Sequence, residues 1–118
     1  MEAMGPFESV AEFLSPDVTF REFPNRIAPH GRSRTAAEAR DAYTKGRDLL
    51  RSQTFDVRNV VEVGNAVAAE LEWTGVLGVP MGALQPGTEL KAHVAMFLTF
   101  RDGKIISQRN YDCYPPFA

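Results

Sequence analysis

The chain has 118 residues, of which 44% are hydrophobic and 24% charged, a composition typical of one folded domain over residues 1–118. Its 13 basic and 15 acidic side chains give a net charge of −2, so no strong positive field is available to hold nucleic acid. The single cysteine, Cys113, cannot form an internal disulfide, and no apolar run is long enough to span a membrane. These features predict a cytoplasmic protein that contacts neither nucleic acid nor membrane.

The first half of the chain predicts a helix, a strand and a second helix. Residues 6–14 place apolar side chains on one helical face, and residues 17–23 alternate as in a strand. Residues 25–34 contain Pro, His, Gly and Ser and predict a loop. Thr35 and Glu38 have the spacing of a capping box, so a helix is predicted over residues 35–51.

The second half of the chain predicts strands only, over residues 55–63, 66–76, 89–101 and 104–113. The short links Gly64-Asn65 and Asp102-Gly103 are typical of hairpin turns, so these strands form an antiparallel meander. The whole chain is therefore predicted to have an α+β fold. The third of these strands is apolar on both sides, which predicts helices over one sheet face and a second copy of the chain over the other. A curved sheet closed by helices leaves an apolar pocket.

Three segments resemble the nuclear transport factor 2-like superfamily, and within it the SnoaL-like polyketide cyclase group. They are Gly31 with the helix after it, Glu70-Leu71-Glu72-Trp73-Thr74-Gly75, and Phe100-Arg101-Asp102-Gly103-Lys104-Ile105 followed by Arg109-Asn110-Tyr111-Asp112. The resemblance implies a cone-shaped, cystatin-like fold with a curved antiparallel sheet packed on helices around an apolar cavity. It also implies a homodimer through the outer sheet face. Its members include cyclases, isomerases, dehydratases, epoxide hydrolases and non-catalytic binding domains.

Two details differ from the family pattern. The family's first helix is longer than residues 6–14, so we expect either a more open pocket mouth or further residues upstream. The acid of the family's last strand lies eight residues after the Ile of Gly-Lys-Ile, which in this chain is Cys113, one residue after Asp112. A one-residue shift reverses the face of a strand side chain, and a bulge at Asn110-Tyr111 would turn Asp112 back into the cavity. Either Asp112 or Cys113 is therefore the inward residue.

Asp112 is the candidate general acid or base, since burial in an apolar cavity raises the pKa of a carboxyl toward neutrality. Tyr111 and His93 are the candidates for polarising the substrate, one through a hydroxyl and the other as a proton shuttle. Each has a structural interpretation as well. Asp112 would pair with Arg109 at the strand end, Tyr111 would belong to the core or a dimer interface, and His93 would be a half-buried packing residue.

Five further residues are candidate ligand contacts, and two of them have a plain structural interpretation as well. Asn25 would face the cavity or close a turn, and Arg109 would bind an anion or form a cross-strand pair with Glu70 or Glu72. The complete set of candidate contacts is Phe20, Asn25, Trp73, Met96 and Arg109. The two histidines are far apart in sequence and no nucleotide-binding motif is present, so neither a metal nor a cofactor is expected.

The resulting hypothesis is a small-molecule pocket protein. As an enzyme it would be a cofactor-free cyclase, isomerase, dehydratase or hydrolase acting on an apolar, carbonyl-bearing substrate. The alternatives are a non-catalytic ligand-binding domain and a dimerisation module whose sheet face is the functional surface.

Overall fold

A computed structural model describes residues 11–116, which form one six-stranded sheet and one helix. The elements in chain order are β1 (Leu14–Glu22), β2 (Arg32–Arg34), α1 (Ala36–Leu49), β3 (Leu50–Val63), β4 (Ala66–Leu77), β5 (Glu89–Arg101) and β6 (Lys104–Cys113). Most of the helix predicted over residues 6–14 lies outside the described residues, and its last predicted residue, Leu14, is instead the start of β1. The α+β class is confirmed.

The sheet has the strand order β2-β1-β6-β5-β4-β3. The four consecutive strands β3 to β6 form the predicted antiparallel meander. The prediction of a purely antiparallel sheet is wrong in one respect, because β1 lies parallel to β6 and makes the sheet mixed. The predicted loop also contains β2, a strand of three residues that pairs with the end of β1. A strand of three residues is too short to show an alternating pattern of apolar and polar residues, so β2 can be recognised only from its pairing with β1.

The helix begins with the predicted capping box. The Glu38 amide donates to Thr35 Oγ1 over 3.2 Å, and the Thr35 amide donates to Glu38 Oε1 over 2.9 Å. The helix ends at Leu49, two residues before the predicted end, because Leu50 already has extended backbone angles and begins β3. The Gly78 amide then donates to the Leu49 carbonyl over 2.9 Å, which joins this end of the helix to the loop after β4.

Side chains fill the space between the helix and the sheet only in part. None of the α1 residues is buried, and its inward side presents half-exposed small residues such as Ala39, Ala42 and Gly46. The buried apolar residues of the described chain are Val18, Ala28, Leu71, Leu77, Leu90 and Ala92. Because small helix residues face the sheet, open volume remains between the two layers.

A bulge in β6 sets which of its side chains face the helix. Thr99 lies opposite Ser107 but Phe100 lies opposite Ile105, so Ile106 is the extra residue. The shift lies several residues before Asn110-Tyr111, where the sequence pattern suggested it. Beyond this bulge the register is regular, and it places Asp112 opposite Val94 and Cys113 opposite His93.

Candidate functional site

Asp112 points toward the helix side of the sheet, hereafter the concave face. Asp112 lies directly opposite Val94 on β5, which lies opposite the buried Leu71 on β4, so the three side chains form one row across the sheet. Asp112 also lines a cavity together with residues of α1. Cys113 lies on the opposite, outer face and is exposed. The register therefore gives the inward position to Asp112.

An apolar cavity of about 240 Å³ lies between the C-terminal half of α1 and strands β3 to β5. Its lining consists of Ile27, Gly46, Leu49, Leu50, Gln53, Trp73, Leu77, Met81, Leu90 and Tyr114. This volume is slightly below the usual range for a whole drug-sized ligand, so the cavity alone has room for only part of such a molecule.

A second, charged space of about 620 Å³ adjoins the apolar cavity and contains Asp112. The two share Ile27, Gly46, Leu49 and Tyr114 as lining residues. The charged space also presents the carboxylate of Glu22 and the guanidinium groups of Arg32 and Arg34. Together the two spaces form a groove with an apolar end and a charged mouth, hereafter the concave groove.

The Asp112 carboxyl titrates close to neutral pH in this groove. Burial, and next the negative charge of Glu22, raise its pKa to about 6. The same causes act on Tyr114, whose pKa rises to about 12 through burial and the nearby carboxylates of Asp112 and Glu22, with Arg32 opposing. At pH 7 Asp112 therefore exchanges protons readily, whereas Tyr114 keeps its phenolic proton.

Glu22 is held in place by three neighbours. Its Oε1 lies 3.7 Å from Arg32 Nε and 3.7 Å from Arg34 Nη1, and its Oε2 accepts from Asn25 Nδ2 over 2.8 Å. The side-chain oxygen of Asn25, Oδ1, accepts hydrogen bonds from the backbone amides of Ile27 and Ala28. The Asn25 side chain thus closes the turn after β1 and positions Glu22, and its polar atoms are engaged locally, as in the turn interpretation.

Three of the predicted ligand contacts lie on the concave face. Trp73 lines the apolar cavity, and its indole nitrogen donates to Gln53 Oε1 over 2.7 Å. Phe20 lines a further space of about 280 Å³ between β1 and the start of α1. Met96 is half-buried on the same face, directly opposite Asn110.

Tyr111, His93 and Arg109 lie on the outer face, away from Asp112. The Tyr111 ring stacks on Phe23 with a centroid distance of 4.3 Å. Arg109 donates to Ser107 Oγ over 2.9 Å, and the His93 side chain is 67% exposed. The expected grouping of His93 and Tyr111 beside Asp112 is therefore wrong, because neighbouring strand residues alternate between faces.

The carboxylates of Glu70 and Glu72 also point outward, as their cross-strand interpretation predicts. Asn59 Nδ2 donates to Glu70 Oε1 over 3.3 Å, and Lys91 Nζ lies 3.8 Å from Glu72 Oε1. Arg109 is not their partner, since its guanidinium bonds Ser107 and Thr99. This pair of carboxylates therefore belongs to the surface of the sheet.

Sequence reasoning missed Glu22, Gln53, Tyr114 and Gly46, which all line the concave groove. Tyr114 had a usable signal, since it lies two residues after Asp112 and thus continues along the same face. Gln53 had none, because it lies before the first residue of the predicted strand.

Within residues 11–116, no group of three or more His, Cys, Asp or Glu side chains is arranged to hold a metal ion. No helix in that part of the chain combines the length and apolar character needed to cross a membrane.

Comparison with known proteins identifies both a family and a fold. The sequence model of the SnoaL-like domain matches residues 2–108. No curated protein sequence matches the chain significantly. IdmH from Streptomyces antibioticus, provisionally described as a polyketide cyclase, superposes with a TM-score of 0.74 at 19% identity, over 89% of this chain and 78% of IdmH.

Two more solved structures have the same architecture. AclR from Streptomyces galilaeus, provisionally described as a hydroxylase, gives a TM-score of 0.73 at 17% identity, over 89% of this chain but only 66% of AclR. A nuclear transport factor 2-like protein from Anabaena variabilis gives 0.72 at 21% identity, over 93% of this chain and 76% of that protein. At these identities the similarity confirms the nuclear transport factor 2-like fold. It does not establish which reaction, if any, the residues of the groove carry out.

Proposed function

We propose that this chain, which belongs to the SnoaL-like domain family, uses Asp112 to move a proton at a carbon next to the carbonyl of an apolar substrate. The observation that carries the proposal is the position of the Asp112 carboxyl on the concave face, in the charged space that adjoins the apolar cavity. Proton removal beside a carbonyl is a step that cyclases, isomerases and dehydratases share. It requires no cofactor.

The roles of the groove residues follow from their protonation states. Ionised Asp112 accepts the proton from carbon, and the charge that develops on the carbonyl oxygen needs a hydrogen-bond donor. Tyr114 supplies a hydroxyl that stays protonated at neutral pH in the same space. Glu22 lies 3.7 Å from Arg32 and from Arg34, and its negative charge contributes to the raised pKa of Asp112. Asp112 can then return the proton at a second position or to a leaving oxygen.

The shape and charge of the groove support a substrate class. Leucine, isoleucine and tryptophan side chains at the closed end favour a hydrocarbon ring system. The charged mouth, with Arg32, Arg34 and Lys45, favours a polar or anionic group at the other end of the molecule. Both features fit an elongated, mostly apolar ketone.

Exchange of hydrogen for deuterium at the carbon beside the carbonyl of 1-tetralone in D₂O, followed by NMR, tests the proposal. We expect the protein to accelerate exchange, and Asp112→Asn to lower that rate by about 10²- to 10⁴-fold without loss of folding. Asp56→Asn, on the outer face, is the matched control and should keep the full rate. If Asp112→Asn exchanges as fast as the unmodified chain, the proposal fails.

The pH profile of the same reaction separates base from acid. A carboxyl acting as a base is active when ionised, so the exchange rate should rise with pH and level off above about 6, the pKa of Asp112. A rate that falls above this pH would instead mean that the protonated carboxyl is the active form.

A second candidate function is non-catalytic binding of the same class of molecule. One observation favours it: Tyr111 and His93, the residues expected to assist Asp112, lie on the outer face. Binding of 1-tetralone without accelerated exchange would support this function over catalysis.

We also propose that the outer face pairs with a second copy of the chain. Phe97 and Tyr111 are 38% and 43% exposed near the middle of this face. Arg109 lies on β6 and Glu70 on β4, so a two-fold axis near β5 would bring opposite charges together across the two copies. This arrangement would cover the aromatic side chains.

A further inference from the structure

The closed end of the apolar cavity contains one strongly buried polar side chain, Gln53. It lies near the start of β3, is only 7% exposed and lines the cavity among leucine and methionine side chains. A buried amide among apolar groups is costly unless its polar atoms find partners. The hydrogen-bond partners of the amide oxygen and of the amide NH₂ group therefore show whether this cost is met.

The indole of Trp73 determines the orientation of the Gln53 amide. Indole nitrogen is a donor only, so the atom 2.7 Å from Trp73 Nε1 must be the amide oxygen, Oε1. Gly75 allows this contact, because a Cβ at that position would lie 2.5 Å from the Trp73 ring. The NH₂ group of Gln53 therefore makes no hydrogen bond to Trp73.

That NH₂ group has no hydrogen-bond acceptor among the described residues. No side-chain nitrogen or oxygen of residues 11–116 is both inaccessible to water and without a partner, so Nε2 retains some surface that water can reach. Gln53 lines the apolar cavity, which is the space beside it that a ligand can enter.

We propose that the Gln53 NH₂ group donates a hydrogen bond to an oxygen atom at the buried end of the ligand, and that Trp73 holds the amide in the donating orientation. The ligand would then be an apolar molecule with a carbonyl, ether or hydroxyl oxygen at the end remote from Asp112. A hydrocarbon end would leave the donor unsatisfied and bind more weakly. This specificity role rests on the proposed small-molecule function of the groove.

The sheet register limits the size of a ligand that meets both groups. Gln53 lies on β3 and Asp112 on β6, with two strands between them, and their rows are four residues apart along β5, at Leu90 and Val94. On a flat sheet this separation would be roughly 20 Å, and the curvature shortens it. A ligand that reaches both Gln53 and Asp112 is therefore elongated, with more than one ring or a long chain.

Comparison of two matched compounds tests the role of Gln53. NMR titration of the chain with 4-acetyl-4′-methoxybiphenyl and with 4-acetyl-4′-ethylbiphenyl, which differ only in an ether oxygen at the end remote from the ketone, should give a preference for the methoxy compound of about five- to tenfold, the effect of one net hydrogen bond. Gln53→Met should reduce this preference to about one, because methionine keeps the volume and removes the donor. Gln85→Met, the same exchange in an exposed loop, should leave the preference unchanged.

Gln53→Met also leaves the Trp73 indole nitrogen without its hydrogen-bond partner, which could destabilise the fold. A second pair of variants, in which Trp73 is replaced by Phe, removes this complication. Trp73→Phe should keep a preference for the methoxy compound, and Trp73→Phe combined with Gln53→Met should lose it. A preference that survives in both variants lacking Gln53 would overturn the inference. Equal binding of the two compounds to the unmodified chain would overturn it too, while leaving the proposed function intact. If neither compound binds, the small-molecule function itself fails, and this inference fails with it.

Discussion

The two faces of the sheet differ in what lies over them and therefore in their chemistry. On the concave face, the helix leaves a groove in which Gln53 lies among apolar side chains and Asp112 lies in the charged part. On the outer face, His93 and Glu72 lie in the adjacent row of residues, where solvent and paired charges surround them. Asp112 and Cys113 are neighbours in sequence and belong to different surfaces. Burial on the concave face and the nearby Glu22 carboxylate raise the pKa of Asp112, so the surroundings of this carboxyl decide its chemistry.

Our structural interpretation assigns ligand chemistry to the concave face and self-association to the outer face. Each assignment predicts that a substitution on one face leaves the property of the other unchanged. The experiments below test this separation, from the largest expected effect to the smallest.

Filling the apolar cavity should abolish ligand binding. Gly46 lies on α1 at the cavity wall, and a Cβ placed there would meet no atom within 4 Å. Gly46→Leu adds an apolar side chain directly into this space, so the affinity for 1-tetralone should fall at least tenfold by NMR titration. Gly46→Ala is the matched control, since it improves helix propensity by up to about 1 kcal/mol and leaves most of the volume free. Unchanged affinity in Gly46→Leu would place the ligand elsewhere.

A charge on the outer face should weaken the homodimer. Phe97→Glu replaces an exposed aromatic ring with a carboxylate near Arg109, so the fold should tolerate it while the apolar contact between copies is lost. We expect the dimer dissociation constant to rise at least tenfold by analytical ultracentrifugation, with the affinity for 1-tetralone unchanged. Val63→Glu, at the tip of the β3–β4 hairpin, is the control. A monomeric unmodified chain at micromolar concentration would contradict the dimer proposal.

Removing the Asp112 charge should change stability in a pH-dependent way. The folded pKa of about 6 lies above the ordinary value of 3.8, so between these values the folded chain holds a proton that the unfolded chain has released. The stability of the unmodified chain therefore falls as pH rises from about 4 to 6. At pH 7.5, Asp112→Asn should be more stable by about 1 kcal/mol, a value reduced for partial solvation, and melt about 4 °C higher. The two chains should melt together at pH 4 or below, and a constant difference would refute this origin.

Substitution of His93 provides the smallest effect and a direct test of the separation. The His93 side chain is exposed on the outer face with Nδ1 3.8 Å from Glu72 Oε2, so His93→Gln should change the 1-tetralone exchange rate less than twofold. A reduction greater than about tenfold would show that His93 reaches the reacting atoms, for example within a rearranged sheet. The two faces would then not be functionally separate.

Local patterns were sufficient to predict most of the secondary structure. Strands β5 and β6 were predicted with the observed bounds, because long alternating runs end there at hairpin or loop residues. The capping box at Thr35 depends on residues three apart and is present in the structure. The strand β2 was not predicted, since its three residues become a strand only by pairing with β1.

The groove could be predicted in part. Asp112 and Trp73 were identified from the resemblance to the SnoaL-like group, and both line the spaces beneath the helix. The prediction that Tyr111 and His93 lie beside Asp112 was wrong, because their side chains point to the opposite face of the sheet. Glu22 and Gln53 could not be identified, because their importance comes from neighbours distant in sequence.

The order of hydrophobic, polar and turn residues therefore determined the elements and the α+β class, since these patterns act over a few neighbouring residues. The tertiary structure alone decided that Asp112, and not Cys113, is the inward residue. The decisive feature is the extra residue Ile106, and a bulge of this kind is defined only by how β6 pairs with β5. The Trp73–Gln53 hydrogen bond joins residues 20 positions apart and likewise exists only because β3 and β4 pair.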